Sequence, residues 1–333
     1  MKKKWFIGID ISKKTLDVVI YDSSKKQSDS ENYKQVTNDK DGYTTLLSWF
    51  KKKKIVVNQV AIGFEHTGIY SFNLRFFLEA RQIDYCAYCP LHLKRSLGLV
   101  RGKNDKVDAE RIAYFTYLHR DELTYSKLSG SIILQLQELS AERKGFVAQQ
   151  ARYKAVLTDN KDKPQTNTLR RAKKMEEVLE EEIKSVEEEM NTLIEKDPSI
   201  AKNYKLLTSI KGIGDINAIS TIIHTNNFEA FETARQYACY LGIAPFPLSS
   251  GTSVRGKTQV SHMRAKLLKA DLSQAAKSAI VWDKELKEYY ERKTKEGKAF
   301  GVVLNAVKFK LVCRMFAVIK RGTPFVDLEK YKS

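Results

Sequence analysis

The chain has 333 residues, enough for two or three domains that each bury a core of their own. Its 58 Lys and Arg against 40 Asp and Glu give a formal charge of +18, which favours a polyanionic partner and puts nucleic acid ahead of an anionic membrane surface. No apolar run approaches the roughly 20 residues of a spanning helix, so no membrane partner is expected. Met1-Lys-Lys-Lys4 leads straight into a strand-like segment without a signal peptide, which predicts a cytoplasmic protein. Of the four cysteines, Cys86 and Cys89 form a single CxxC with no second half at a zinc spacing, and reduced, mostly buried thiols are expected.

Trp5 to Asp10 is a short apolar run ending in a carboxylate, and after Ser12-Lys13-Lys14 a second run, Leu16 to Tyr21, returns as a hairpin. Tyr43, Leu46, Leu47 and Phe50 recur at helical spacing and predict a helix over 42–50 with one face on that sheet. Val56 to Phe64 reads as a strand ending at Glu65, Ile69 to Ala80 as a helix, and Ile83 to Tyr88 as a strand stopped by Pro90. Asn104 is positioned to cap a helix whose first turn carries Asp105 and Asp108, with Ala109, Ile112 and Ala113 as its buried stripe. Strands that lead to carboxylates, followed by a late helix that supplies more, are the layout of RNase H-like folds.

Each of the four acids has an ordinary explanation when taken singly. Acids in a first helical turn complement the helix dipole, and for Asp105 alone that is the better reading. Together, Asp10 and Glu65 at two strand ends and Asp105 and Asp108 on one helix face make the oxygen-rich set that two Mg²⁺ ions about 4 Å apart require. Asp17, Asp22 and Glu110 are the acids most easily mistaken for members of this set.

Ser131 to about Leu157 reads as a long helix, and 159–168, DNKDKPQTNT, as a polar loop. Leu179, Ile183, Val186, Met190 and Leu193 then step as a heptad seam, which predicts an antiparallel coiled-coil hairpin serving as an arm or dimerisation element. Residues 169–196 hold nine Glu against six Lys and Arg, so direct DNA binding by this exterior is not expected. From 253 to 321 the balance reverses, with 17 Lys and Arg against six Asp and Glu, making the C-terminal part the main polyanion surface. The Gly212-Ile-Gly214 turn after Lys211 fits either a phosphate-contacting helix-hairpin-helix or an ordinary turn between packed helices. Leu241 to Lys257, LGIAPFPLSSGTSVRGK, reads as a basic loop rich in hydroxyls, with Arg255 and Lys257 near Ser250-Gly251. Composition favours a phosphate-binding loop there; a hydroxyl beside cations and metal-bound carboxylates can also attack a phosphodiester. A helix beginning near Met263, and carrying Arg264, is expected to pack this loop on the core.

GIDISKKTLDVVIYD, Glu65-His-Thr-Gly-Ile-Tyr70, KNDKVDAERIA, KGIG and LGIAPFPLSSGTSVRGK together resemble the transposases of bacterial insertion sequences and the related pilin-gene inversion recombinases. The resemblance covers nearly the whole chain. It implies an α/β plus α architecture: a RuvC-like (RNase H-like) DEDD nuclease domain over 1–128, a coiled-coil hairpin over 129–200 and a mainly helical transposase domain over 201–333. It also implies that Asp10, Glu65, Asp105 and Asp108 bind Mg²⁺ and that Ser250 is a covalent nucleophile, with Ser249 and Ser253 as near neighbours. Nucleic-acid contacts are expected at Lys103, Lys211, Gly212, Gly214, Arg255, Lys257 and Arg264. The partners implied are donor and target DNA, a structured bridge RNA that guides site choice, and further copies of the chain, dimers assembling to a tetramer on DNA. In that arrangement one subunit's acids are completed by another's serine. The chief rival is a junction-resolving nuclease whose acids activate water while Ser250 only binds phosphate.

Overall fold

A computed structural model describes residues 3–21, 30–66, 68–90, 93, 96, 104–164, 166–250, 254–260 and 266–327, with backbone alone at 30, 69, 245–250, 254–260, 266 and 267. The chain divides into two compact units, 1–128 and 129–333.

In the first unit, period-two alternation is obeyed on both sides of a five-stranded mixed sheet. The strands are β1 (Trp5–Ile11), β2 (Thr15–Tyr21), β3 (Tyr33–Thr37), β4 (Val60–Glu65) and β5 (Tyr85–Tyr88), in the order β3-β2-β1-β4-β5. β1 pairs antiparallel with β2 and parallel with β4, β2 pairs antiparallel with β3, and β4 pairs parallel with β5. Ile7, Ile9, Leu16, Val18, Ile62 and Phe64 point to one face, where helices α1 (Lys40–Lys52) and α2 (Ile69–Glu79) supply Tyr43, Leu46, Phe50, Leu74 and Leu78. Phe6, Val19, Tyr21 and Ala61 point to the other, under Ala109 and Ala113 of α3 (Asp105–Leu118). Asn104 caps α3 as its sequence predicts, its side chain accepting from the Lys106 amide.

Three sequence expectations shift here. The fourth strand starts at Val60, not Val56: residues 57–59 form a short 3-10 turn, and pairing begins where Trp5 faces Val60. β5 starts at Tyr85, not Ile83, because the Ile83 amide is spent on the Leu78 carbonyl at the end of α2. Of the cysteines only Cys86 is buried; Cys89 and Cys313 are exposed and Cys239 is half-buried, so the expectation of mostly buried thiols fails.

The second unit is helical apart from one ribbon. Helices α4 (Ser131–Asp159) and α5 (Asn167–Glu195) form an antiparallel hairpin: Arg143 pairs with Glu187, and Lys154 with Glu176, so one helix descends as the other climbs. Ala172, Leu179, Val186 and Leu193 bury one seam of α5 at seven-residue spacing. The hairpin's base, including Leu136, Met190 and Leu193, belongs to the same core as α6 (Pro198–Thr208), α7 (Asp215–Thr225), α8 (Ala234–Tyr240), α9 (Lys266–Trp282), α10 (Lys284–Lys295) and α11 (Phe300–Arg321). The segment expected to be a loop is instead a two-stranded antiparallel ribbon, β6 (Pro245–Ser250) and β7 (Val254–Val260). Its prolines are tolerated because Pro245 opens the strand and Pro247 falls where the register shifts between Phe246 and Leu248. No helix among the described residues is long and apolar enough to cross a membrane.

Candidate active site

One glycine pair brings the acids together. Gly8 on β1 lies opposite Gly63 on β4, both on the α3 face. A Cβ on Gly8 would sit 2.0 Å from the Ala109 carbonyl oxygen and 2.3 Å from the Ala113 nitrogen. On Gly63 it would sit 2.1 Å from Thr116 Oγ1 and 2.7 Å from the Tyr88 ring. The missing side chains therefore let α3 rest directly on the sheet. Two residues along each strand, about 7 Å away, come Asp10 and Glu65 on the same face. One turn back along α3, about 6 Å, Ala109 gives way to Asp105 and Ile112 to Asp108. The strand and helix steps nearly match, so seating the helix on the glycines carries its two acids toward the two on the sheet.

Asp10 registers the result electrically. Its pKa is pushed up to about 6, first by burial and then by the negative charges of Asp108, Asp105, Asp17 and Glu65. Among the described residues no three His, Cys, Asp or Glu side chains stand close enough to share one ion. Asp105, Asp108, Asp17 and Glu65 lie instead within electrostatic reach of Asp10, and the hard oxygen donors of such a set are those a divalent cation takes. Arg111 offsets part of the charge, its Nη1 donating to Asp108 Oδ1 at 3.1 Å while its buried Nη2 has no hydrogen-bond partner.

Asp17 belongs to this face as well. It is the cross-strand partner of Asp10, is only 2 % exposed, and accepts from the Tyr33 hydroxyl at 2.6 Å and from Gln35 Nε2 at 3.0 Å. That bond to Asp17 is the main reason the Tyr33 phenol is pushed up to about 12. The Lys106 ammonium lies 5.1 Å from the Tyr33 ring centre, linking the start of α3 to the sheet edge. In sequence Asp17 is one more acid. Folding the hairpin about Lys13-Lys14 is the signal that places it opposite Asp10. Of the other acids set aside, Glu110 sits in α3 with partners of its own, and Asp22 lies outside the described residues.

In the second unit, Ser250 is the last residue of β6, its backbone opposite Val254 beside the hairpin tip. The side chains of Ser250, Ser249, Arg255 and Lys257 lie outside the described residues, as do Lys103, Ser253 and Arg264 entirely. At the glycine turn, Lys211 is ion-paired with Asp327, and Gly212, at φ +91°, abuts Ala275 and Ala279 of α9 where a Cβ would come within 2.6 Å. Tight packing is thus reason enough for Gly212. Gly214 precedes α7 and has open space around it, while Asp215 at the helix start accepts from the Tyr204 hydroxyl at 2.7 Å.

Two family models match the chain: a DEDD transposase of the IS110 type over residues 7–160, and a transposase of the IS116/IS110/IS902 family over 204–291. Similar proteins include pilin gene-inverting proteins of Moraxella bovis and Moraxella lacunata, each 23% identical over 329 residues, or 97% of this chain and 98% of theirs. A 43.6 kDa protein of insertion element IS110 in Streptomyces coelicolor is 28% identical over 145 residues, 44% of this chain and 35% of that one. The first model spans all but the first two residues of the sheet, together with α3, the second spans the glycine turn and the β6–β7 ribbon, and the Moraxella relatives run nearly end to end. The chain belongs to the IS110 family of transposases and site-specific recombinases.

Proposed function

We propose that the protein cuts and rejoins DNA strands, with Asp10, Glu65, Asp105 and Asp108 holding a pair of Mg²⁺ ions on an RNase H-like sheet and Ser250 attacking the phosphodiester. The observation that carries this reading is the Gly8–Gly63 pair, which seats α3 so that its acids approach those of the sheet. The strand order β3-β2-β1-β4-β5, with only β2 antiparallel to its neighbours, supports the RNase H-like assignment. Bound divalent cations would supply Lewis-acid stabilisation of the phosphate oxygens. The chain's own part is to hold them with four carboxylates and to present a hydroxyl at a hairpin tip.

In the proposed step Ser250 Oγ bonds to phosphorus while the bond from phosphorus to one deoxyribose oxygen breaks. The serine proton ends on the departing sugar oxygen. The phosphoserine conserves the bond, and the hydroxyl of a different strand reverses the step to rejoin. The relatives named as pilin gene-inverting proteins support this economy, since inverting a gene requires every cut end to be sealed again. Guidance by a bridge RNA, and assembly of dimers into a tetramer on DNA, rest on the family resemblance; the charge of +18 suits two nucleic-acid partners.

The test is covalent trapping on a nicked substrate. Wild type should give a protein–DNA adduct and Ser250→Ala none. An adduct that persists in Ser250→Ala would move the nucleophile elsewhere, with Ser249 and Ser253 next to be changed. Cleavage by wild type with no adduct at all would favour the water-activating nuclease. Sequencing RNA that co-purifies with the chain tests guidance: a structured RNA should be enriched, and random cellular RNA alone would sink it.

A further inference from the structure

Lysine 308 is placed oddly for its charge. It lies in the middle of α11, flanked by the buried Val307 and Leu311, and is only 5 % exposed. It has no hydrogen bond or ion pair among the described residues. Among the described residues, the charges that act on it are two more cations, Lys269 and Lys277 of α9. Burial first, and then these two ammonium groups, pull its pKa from 10.5 down to about 8. Burying an unpaired ammonium beside like charges is unfavourable, a cost ordinarily removed by an opposite charge or by exchanging the lysine for an apolar residue.

Two hydrogen bonds place this part of α9 and α11 in the fold. Lys269 Nζ donates to the Gly242 carbonyl at 2.8 Å, and Asn305 Nδ2, one turn before Lys308, donates to the Ile243 carbonyl at 2.6 Å. Both anchors grip the turn that leads into β6 at Pro245. The lysine cluster therefore stands at the root of the β6–β7 ribbon, between two helices whose packing already fixes it.

We infer that Lys308, with Lys269 and Lys277, forms a socket for one backbone phosphate of a bound nucleic acid at the root of the β6–β7 ribbon. The phosphate supplies the opposite charge that Lys308 lacks among the described residues, and docking it there sets the strand against the ribbon. The socket reads no base, because its donors are ammonium groups aimed at a phosphate. It requires DNA binding by this unit but neither the acid site nor a serine bond.

Binding of short duplex DNA of arbitrary sequence to the full chain, measured in EDTA across a salt series, tests this apart from any cleavage. Lys308→Met should lower the slope of log affinity against log salt by about 1 and weaken unrelated sequences alike. Lys308→Arg should retain most of the slope. Lys184→Met, which removes a lysine paired with Glu180 on the acidic hairpin, should leave it unchanged. Methionine fits an apolar slot, so Lys308→Met should melt at or above wild type, excluding misfolding as the cause. In a second arm, inorganic phosphate should raise the melting temperature of wild type and not of Lys308→Met. An unchanged slope in Lys308→Met overturns the proposal even if inorganic phosphate stabilises the wild type, since that pattern assigns the cluster to free phosphate.

Discussion

The acid face of the sheet and the lysine root of the ribbon solve the same electrostatic problem with opposite signs. Each crowds like charges around one group withdrawn from water, the half-buried Asp10 in the first unit and the buried Lys308 in the second, and each pulls that group toward its neutral form. They differ in how the crowding is built. The acids are gathered by backbone contact, through a glycine pair that lets α3 rest directly on the sheet. The lysines are gathered by side-chain packing between two helices, where a single substitution dissolves the cluster without moving the backbone. A backbone-built site should be brittle and a side-chain-built one adjustable.

The largest effect expected from breaking this comparison is chemical. If the proposed metal site is right, Asp10→Asn should reduce Mg²⁺-dependent strand cleavage by at least ~10³-fold in a gel assay, because the site would lose the charge of one of its carboxylates. Loss of binding to RNA or DNA in the same variant would contradict a purely catalytic role. Next comes brittleness. Gly8→Ala meets the backbone of α3 and should cost about 3 kcal/mol in denaturant melts. Gly63→Ala meets the Thr116 and Tyr88 side chains rather than backbone, and should cost less, about 1 kcal/mol. Equal costs would mean that α3 can slide.

Protonation sharpens the contrast further. The folded chain holds the Asp10 proton more tightly than the unfolded chain, so between pH ~4 and ~6 the fold binds more protons and stability should fall as pH rises. Lys308 has the opposite sign: from pH ~8 to ~10.5 the fold binds fewer protons than the unfolded chain, and stability should rise with pH. Thermal melts in EDTA should show both slopes, with Asp10→Asn flattening the acid limb and Lys308→Met the alkaline one. A limb that survives its own variant belongs to another group. The smallest effect is expected far from either site: a double-mutant cycle on Arg143 and Glu187, a 2.6 Å pair on the hairpin, should return at most ~1 kcal/mol.

Much of the first unit is legible before folding. Alternation in Trp5–Ile11 and Thr15–Tyr21, the Asn104 cap and the Ala109, Ile112, Ala113 stripe are local patterns, and the structure keeps them. What local pattern does not carry is register. That Gly8 faces Gly63, and Asp17 faces Asp10, depends on strand pairing across the chain. Lys308 is passed over for a different reason: helical spacing puts it on the apolar stripe of α11, four after Leu304 and four before Val312, where Lys310 does not fall, but a lysine on such a stripe can carry its charge out to water, and the structure shows that this one does not. The β6–β7 ribbon escaped because two prolines within three residues argue against a strand, and a register shift accommodates the second.

The seating of α3 has a consequence for how such a chain can change through descent. Residues 105 to 116 work as a ruler whose zero is the glycine pair and whose far mark is the acid pair. One residue inserted after Ala109 would leave Ile112, Ala113 and Thr116 seated while swinging both Asp105 and Asp108 by about 100° around the helix axis. Substitutions along this stretch can accumulate; insertions and deletions cannot. Among diverging copies, the invariant to look for is therefore the count of residues between the acids and the seat, more than the identity of any one of them.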